Sequence, residues 1–351
     1  MSRVLSVLLI LSALLNSCTG NSNLETNKNE IIKVTVSILP QAFIIKSIGG
    51  EHVSVNVMVP PASSPETYEP GPKRMAELRD SDIYFSIGMP FELTSIDKIK
   101  KEYGNVKFVD MHKDIVFRNM ESHHGHNSFA ENELGEIKDP HIWLDPLALI
   151  QMSQNTVNEF IRLDPKNRDL YIDNHLKLKK QIQLLNDEMV DLFKDSGKKA
   201  FIIYHPAWGY FANRYGLKQI PVEIEGKEPS ASEMAQLTDT IKKYKIKHIF
   251  MQAQAPESVI RSIASETGAQ IQTLDPLKEN VVENIKESAL KIKKWNFLIL
   301  MNGSTPIDSK KHWMILKWEL LKIIETGCLK YDICNFCNNL LSLFNFFQFT
   351  I

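Results

Sequence analysis

Eight apolar runs of strand length punctuate the chain: Val34–Ile38, Val55–Val59, Asp82–Ile87, Val106–Asp110, Ala200–Tyr204, Lys218–Val222, His248–Gln252 and Gln270–Leu274. Several are nearly continuous in apolar residues, without the alternation of a half-exposed strand. That pattern predicts parallel strands covered on both faces, with helical stretches between most of them. The runs fall into two sets of four, so the predicted fold is α/β, with two (β/α)4 lobes. Between the sets, Asp164-Pro165 reads as a helix start, and no further Pro or Gly appears until Gly197. Leu178, Ile182, Leu185, Met189 and Leu192 place one apolar stripe on this segment. The spacing predicts a single rigid helix over about 165 to 194, roughly 45 Å long at 1.5 Å per residue. Such a strut joins the lobes and opposes a wide hinge motion.

The implied organisation is a first lobe over 34–163, a linking helix over 164–195 and a second lobe over 196–294. Beyond that point the composition shifts. Residues 295–351 hold ten of the 31 aromatic residues, three of the five Trp and three of the four Cys. The closing stretch shows neither helical nor strand periodicity. This tail reads as foreign to the domain, from a disrupted frame or a fusion; a membrane-proximal or partner-binding helix is the other reading. Cys328, Cys334 and Cys337 lack a fourth cysteine and read as incidental thiols, not zinc ligands.

At the other end, Arg3 precedes the apolar stretch Val4–Leu15, too short to span a bilayer and suited to a signal-peptide core. It runs into Leu15-Asn16-Ser17-Cys18, which resembles a bacterial lipobox. Cleavage after residue 17 would leave Cys18 as an acylated N-terminus; an ordinary secretory signal is the alternative. Both readings export the protein. Residues 18–33, polar and charged, predict a flexible tether beside a membrane.

Forty-one basic and forty-two acidic side chains leave a formal charge of -1. No global field draws the chain to nucleic acid, and no long apolar run beyond the N-terminus supports a polytopic membrane protein.

Four polar residues lie beyond the C-terminal ends of strand-like runs, where open α/β sheets bind ligands. They are Glu66, His141, His205 and Asp275, each beside a proline that restricts the local backbone. Two come from each half. Closing the lobes about the strut would gather two imidazoles and two carboxylates, a full set of donors for a divalent transition metal. Individually, each also fits a turn or capping role.

These residues sit in Ser37-Ile38-Leu39-Pro40, the loop Pro65-Glu66-Thr67-Tyr68-Glu69-Pro70, Asp139-Pro140-His141-Ile142-Trp143-Leu144-Asp145-Pro146, Tyr204-His205-Pro206-Ala207-Trp208-Gly209-Tyr210 and Glu225-Gly226-Lys227-Glu228-Pro229-Ser230-Ala231. Together the motifs resemble the metal-binding lipoproteins of zinc and manganese ABC importers, the ZnuA/TroA-like cluster A-I solute-binding family, over about residues 34 to 290. The resemblance implies two lobes joined by one long helix, a monomeric extracytoplasmic protein, and as partners a membrane permease and its cytoplasmic ATPase. It carries the ligand role directly to His141, His205 and Asp275. Glu66 departs from it, since the zinc-type members have histidine at that point. A second carboxylate favours manganese or iron, whereas His205 favours zinc. Zn2+ is the expected cargo, with Mn2+ the alternative.

His123, His124 and His126 lie in a polar stretch similar to the His-rich loop of zinc-type members, and read as an auxiliary capture tract or as a solvated loop without a role. His52, His112, His175, His248 and His312 carry no assigned function. Ser230 to Glu233 predicts a capping box at a helix start. Trp143 and Trp208 are expected to wall the cleft. From other function classes, a zinc hydrolase and an adhesin compete. The sequence lacks H-E-x-x-H, G-x-S-x-G and Walker-type loops, and four ligands leave no open catalytic position, so an enzyme is not expected.

Overall fold

The computed structural model describes residues 31–120, 138–195, 199–223, 227–244, 246–253 and 255–301. The signal and tether residues up to 30, Cys18 among them, lie outside the described residues. So do His123, His124, His126, His312, and the tail beyond Met301 with its three cysteines. By its contacts the chain divides into a body that ends at Ile299 and a second unit that begins at Leu300.

Two four-stranded parallel sheets form the body. The first has the order β2-β1-β3-β4, with β1 Ile32–Val36, β2 Val53–Val57, β3 Ile83–Ser86 and β4 Lys107–Asp110. The second repeats that order as β6-β5-β7-β8, with β5 Lys199–Ile203, β6 Leu217–Pro221, β7 His248–Met251 and β8 Gln270–Thr273. The helices follow in chain order as α1 Leu39–Gly49, α2 Pro72–Arg79, α3 Pro90–Glu102, α4 Pro146–Leu163, α5 Arg168–Phe193, α6 Gly209–Arg214, α7 Ala231–Tyr244, α8 Glu257–Thr267 and α9 Val281–Met301. All eight predicted strands form, most of them ending one or two residues earlier than the apolar runs. The runs continue because Ile38, Met58, Val59, Ile87 and Leu274 stay buried after the ladder stops, so hydrophobicity overshoots backbone pairing.

In each sheet the strand order switches sides between the two parallel central strands, β1 and β3 or β5 and β7. Crevices at the carboxyl ends of such pairs receive ligands in open α/β sheets. In the first lobe a buried side chain occupies the place. Glu92 accepts the backbone N–H groups of Ile87, Gly88 and Met89 at 2.6–3.1 Å, the Tyr84 hydroxyl at 2.9 Å, and a short bond from Ser37. Burial drives its pKa upward against these stabilising bonds. In the second lobe His205, two residues past β5, stands at the corresponding place.

The connection between lobes is shorter than the sequence predicts. Pro165–Asn167 form a single 3-10 turn, and helix α5 begins at Arg168. Asp164 does not cap the helix; its carboxylate accepts Asn167 Nδ2 at 2.6 Å and the Tyr171 hydroxyl at 2.8 Å. At 1.5 Å per residue α5 is about 39 Å long. Leu178, Ile182, Leu185 and Met189 are buried on one face as the stripe predicts, continued by Phe193, while Leu192 is only partly buried. The capping box before α7 is present: Ser230 N–H donates to Glu233 Oε2 at 2.7 Å, and Glu233 N–H to Ser230 Oγ at 3.4 Å. Helix α9 runs through residue 294 without a break, so its seven further residues continue the body's last element.

The core is continuous across the lobes. One apolar cluster takes in β1, β3, α1, α4, α5 and the α6 segment with Trp208 and Phe211, and a second lies on the far side of the second sheet around Ile202, Ile249 and Ile260. Among the described residues no helix is long and apolar enough to cross a membrane. The adjacent residues Leu184 and Leu185 test the helix facing directly, being 55% and 4% exposed. Leu185→Ala should cost about 2–4 kcal/mol by cavity formation. Leu184→Ala should stay within about 0.5 kcal/mol. Urea denaturation midpoints of the two variants check this, and equal losses would contradict the facing.

Candidate metal centre

His205 stands two residues past the end of β5, directly before Pro206. His141 opens the 3-10 turn Ile142–Leu144, whose chain then enters α4 through the N-cap Asp145. Glu66 comes from the turn-rich loop after β2, with its Oε2 held by a short bond from Ser64. These three side chains converge. Glu66 Oε1 lies 3.2 Å from His141 Nε2 and 3.2 Å from His205 Nε2, and the two Nε2 atoms are 3.1 Å apart. Among the described residues this is the one group of metal-capable side chains whose donor atoms come together. Zinc bonds of about 2.0–2.1 Å in a tetrahedron require neighbouring donors about 3.3 Å apart, close to this triangle.

What turns the nitrogens inward is a second ring of carboxylates. His141 donates from Nδ1 to Asp139 Oδ1 at 2.7 Å, and His205 donates from Nδ1 to Glu223 Oε1 at 2.5 Å. With Nδ1 carrying hydrogen, each neutral ring presents the Nε2 lone pair to the centre. Asp139 is fully buried and held in turn. Its Oδ1 accepts His141 N–H at 3.0 Å, its Oδ2 accepts Arg118 Nη1 at 3.2 Å, and its carbonyl accepts the Tyr210 hydroxyl at 2.8 Å. Arg118 can reach it because Gly209 has no side chain: a Cβ there would stand 1.3 Å from Arg118 Nη1.

The electrostatics follow from burial and these bonds. Burial opposes a charged imidazole at His205, but the Glu223 and Glu66 carboxylates overcome it and push the pKa up to about 10. His141 is raised in the same way, with burial outweighed by Asp139 and Glu66. Glu66 moves the other way: burial would raise it, and the two histidines hold it well below the ordinary carboxylate range.

Asp275, two residues past β8, is not in the triangle. Its Oδ1 accepts Leu277 N–H at 2.9 Å, closing a turn. The residues that follow it, Pro276 and Leu277, line the small cavity beside the triangle, together with Ser64, Trp143 and Gln252. Trp143 walls the cleft as expected, donating Nε1–H to Pro276 O at 2.7 Å. Trp208 does not: it is wholly buried, packs edge-on against Phe211, and is absent from the cavity wall. It lies in the apolar core with Phe193 of α5 and Phe211 of α6. Asp139, Glu223 and Gln252 escaped the sequence reading. Asp139 was adjacent to a predicted ligand, but nothing in spacing alone separates an orienting carboxylate from a turn former.

The lobes are tied beside the site. Arg214 makes a bidentate pair with Asp145, one bond short and the other, Nη2 to Oδ2, at 2.7 Å. This joins the end of α6 to the start of α4, and Lys46 pairs with Glu279 at 2.6 Å further out.

The family model described as "Zinc-uptake complex component A periplasmic" matches residues 34–296. The high-affinity zinc uptake system protein ZnuA of Bacillus subtilis strain 168 is 30% identical over 273 residues, covering 76% of this chain and 85% of that protein. The zinc-binding protein AdcA of Streptococcus pyogenes serotype M3 is 27% identical over 282 residues, 77% of this chain; the chain spans only 54% of AdcA. A crystal structure of ZnuA superposes with a TM-score of 0.69 at 36% identity, over 76% of this chain and 99% of that one. The paired parallel sheets, the joining helix and the match over nearly the whole described body place this chain in the zinc-uptake component A family of metal-binding solute-binding proteins.

Proposed function

We propose that this chain captures one zinc ion outside the cytoplasm and delivers it to the permease of an ABC importer, whose ATPase drives uptake. The observation that carries the reading is the triangle of Glu66 Oε1, His141 Nε2 and His205 Nε2, with both histidine Nδ1 atoms committed to carboxylates. Two imidazoles in a three-donor set favour zinc over manganese. The names of the relatives, zinc uptake and zinc binding, agree with that choice.

In this reading Glu66, His141 and His205 are the protein's ligands. Asp275 joins them only by giving up its bond to Leu277 N–H. The donor set holds and releases an ion without turning anything over, so the protein is a carrier and not an enzyme. Cys18 is the lipidation site, and the residues between it and β1 tether the body to the membrane; the tether is shorter than the sequence predicts, because Ile32 and Lys33 already pair with Val53 and Ser54 in the first sheet. On either side of the sequence tract that holds His123, His124 and His126, Asn119 and Lys138 form an isolated antiparallel bridge immediately before Asp139. That attachment suits an auxiliary capture role beside the main site. The ties between α4, α6 and the Trp143–Pro276 contact leave local shifts, not a wide hinge, as the response to loading.

Stripped protein offered zinc should take up one equivalent, measured by competition with a chromophoric chelator. His141→Ala and His205→Ala should each weaken binding by about 100-fold or more, since each removes a donor. Asp139→Asn and Glu223→Gln keep the donors and lose the charge that orients them, and should cost about 10–100-fold. Near wild-type affinity in both histidine variants would overturn the site. Zinc and protons compete for the same Nε2 atoms, so affinity should fall steadily as the pH drops below about 10, where His205 takes up its proton. Calorimetry in buffers of differing ionisation enthalpy should show proton release on binding, and pH-independent affinity would contradict the donor assignment.

A further inference from the structure

Gln252 is the first residue after β7, and His205 lies two residues after β5. These are the two central strands of the second sheet, between which the strand order switches sides, so both residues stand at the crevice where such a sheet takes its ligand. Gln252 lines the same cavity as Glu66, His141 and His205. It is only 8% exposed, and its carboxamide oxygen is buried without a hydrogen-bond partner. Leaving such an acceptor unpaired costs about 1–3 kcal/mol. Packing does not require it, since Leu or Met would fill the same volume without that cost.

We infer that Gln252 supplies the remaining oxygen donor to the captured ion and, being neutral, sets the selectivity of the site. The inference rests on the metal-capture reading above and adds to it a residue that the donor triangle does not contain. Chemically the assignment balances. Two imidazoles, one carboxylate and one amide carbonyl complete a four-donor shell for zinc. A second anionic oxygen in place of the amide would make the shell harder and shift preference towards manganese, which carboxylates suit. Asp275 is the competing source of a fourth donor, but its carboxylate is engaged with Leu277 N–H and it is absent from the cavity wall.

The test uses the full chain, with zinc and manganese as probes, and four proteins: wild type, Gln252→Leu, Gln252→Glu and Asp275→Asn. Gln252→Leu should lower zinc affinity by about tenfold or more while leaving the melting temperature of the ion-free protein unchanged or higher, because an unpaired polar group is gone. A merely structural glutamine would give the opposite pair of results. Gln252→Glu should shift the zinc-to-manganese affinity ratio by about tenfold towards manganese, and it decides the matter if the leucine variant fails to fold. Cobalt substitution adds a signature: the visible spectrum of the loaded protein should change in Gln252→Leu and not in Asp275→Asn. Unaltered zinc affinity in Gln252→Leu, an unaltered ratio in Gln252→Glu, or a spectral change confined to Asp275→Asn would overturn the inference. If wild type itself holds neither metal, it is the capture reading that fails; if wild type binds and only the Gln252 variants are silent, this inference fails alone.

Discussion

Everything in the cleft depends on two hydrogen bonds that no metal ion makes: His141 Nδ1 to Asp139 and His205 Nδ1 to Glu223. An imidazole offers two nitrogens, and a cleft that left both free would present them in either tautomer and several rotations. Tying Nδ1 to a carboxylate removes that choice. Both Nε2 atoms are then directed to one point, where Glu66 Oε1 meets them. The geometry is fixed before cargo arrives, so little ordering entropy is left to lose on binding.

Those two bonds need rigid backing, and the fold supplies it from both lobes. Asp139 belongs to the first half of the chain, yet Tyr210 from α6 in the second half holds its carbonyl. Arg118 reaches its carboxylate across the bare backbone of Gly209. A few residues on, Arg214 clamps the N-cap of α4. The short helix α6 therefore carries three separate supports for a ligand in the opposite lobe. The metal cleft is accordingly not an open hinge mouth. It is a seam already stitched on one side, with α5 packed along α4 and α1 behind it. Of the three side chains that meet there, that of Glu66, on a loop, is the most exposed.

The sequence was most legible where burial alone decides structure. Continuous apolar runs such as Phe201–Ile203 and Ile83–Phe85 announce parallel strands, because a strand covered on both faces has no polar side to show. The α5 stripe was visible for the same reason. The proline beside His205 marked a rigid strand end, the one beside His141 precedes a 3-10 turn and not a strand end, and the motif resemblance pointed to metal. Less was legible where polar groups choose among partners. Asp164-Pro165 carries a helix-start pattern, yet Asn167 and Tyr171 capture the aspartate and a 3-10 turn intervenes. Asp275-Pro276 and Asp139-Pro140 look alike in sequence. In the structure one closes its own turn and the other orients a histidine, a difference set by which side chain the rest of the fold brings alongside. Gln252 gives no sequence signal at all, since a glutamine after a strand is ordinary and only its burial without a partner distinguishes it.

Charge explains why these polar groups are worth burying. Around neutral imidazoles, Glu66, Asp139 and Glu223 contribute three negative charges and Arg118 returns one positive, so this set carries two uncompensated charges in a mostly buried cleft. Isolated buried charge is severely unfavourable. A divalent cation would cancel the excess, and without one a proton on each of the two histidines does so, consistent with the upward pKa shifts of His141 and His205. The cleft is thus built to be stable with a doubly charged ion in it and to hold protons otherwise, which makes capture an exchange of protons for metal. The balance also limits what else the wall can contain. A further carboxylate committed to the centre would leave the loaded cleft with net negative charge, whereas a neutral oxygen donor extends the shell and leaves the loaded state neutral.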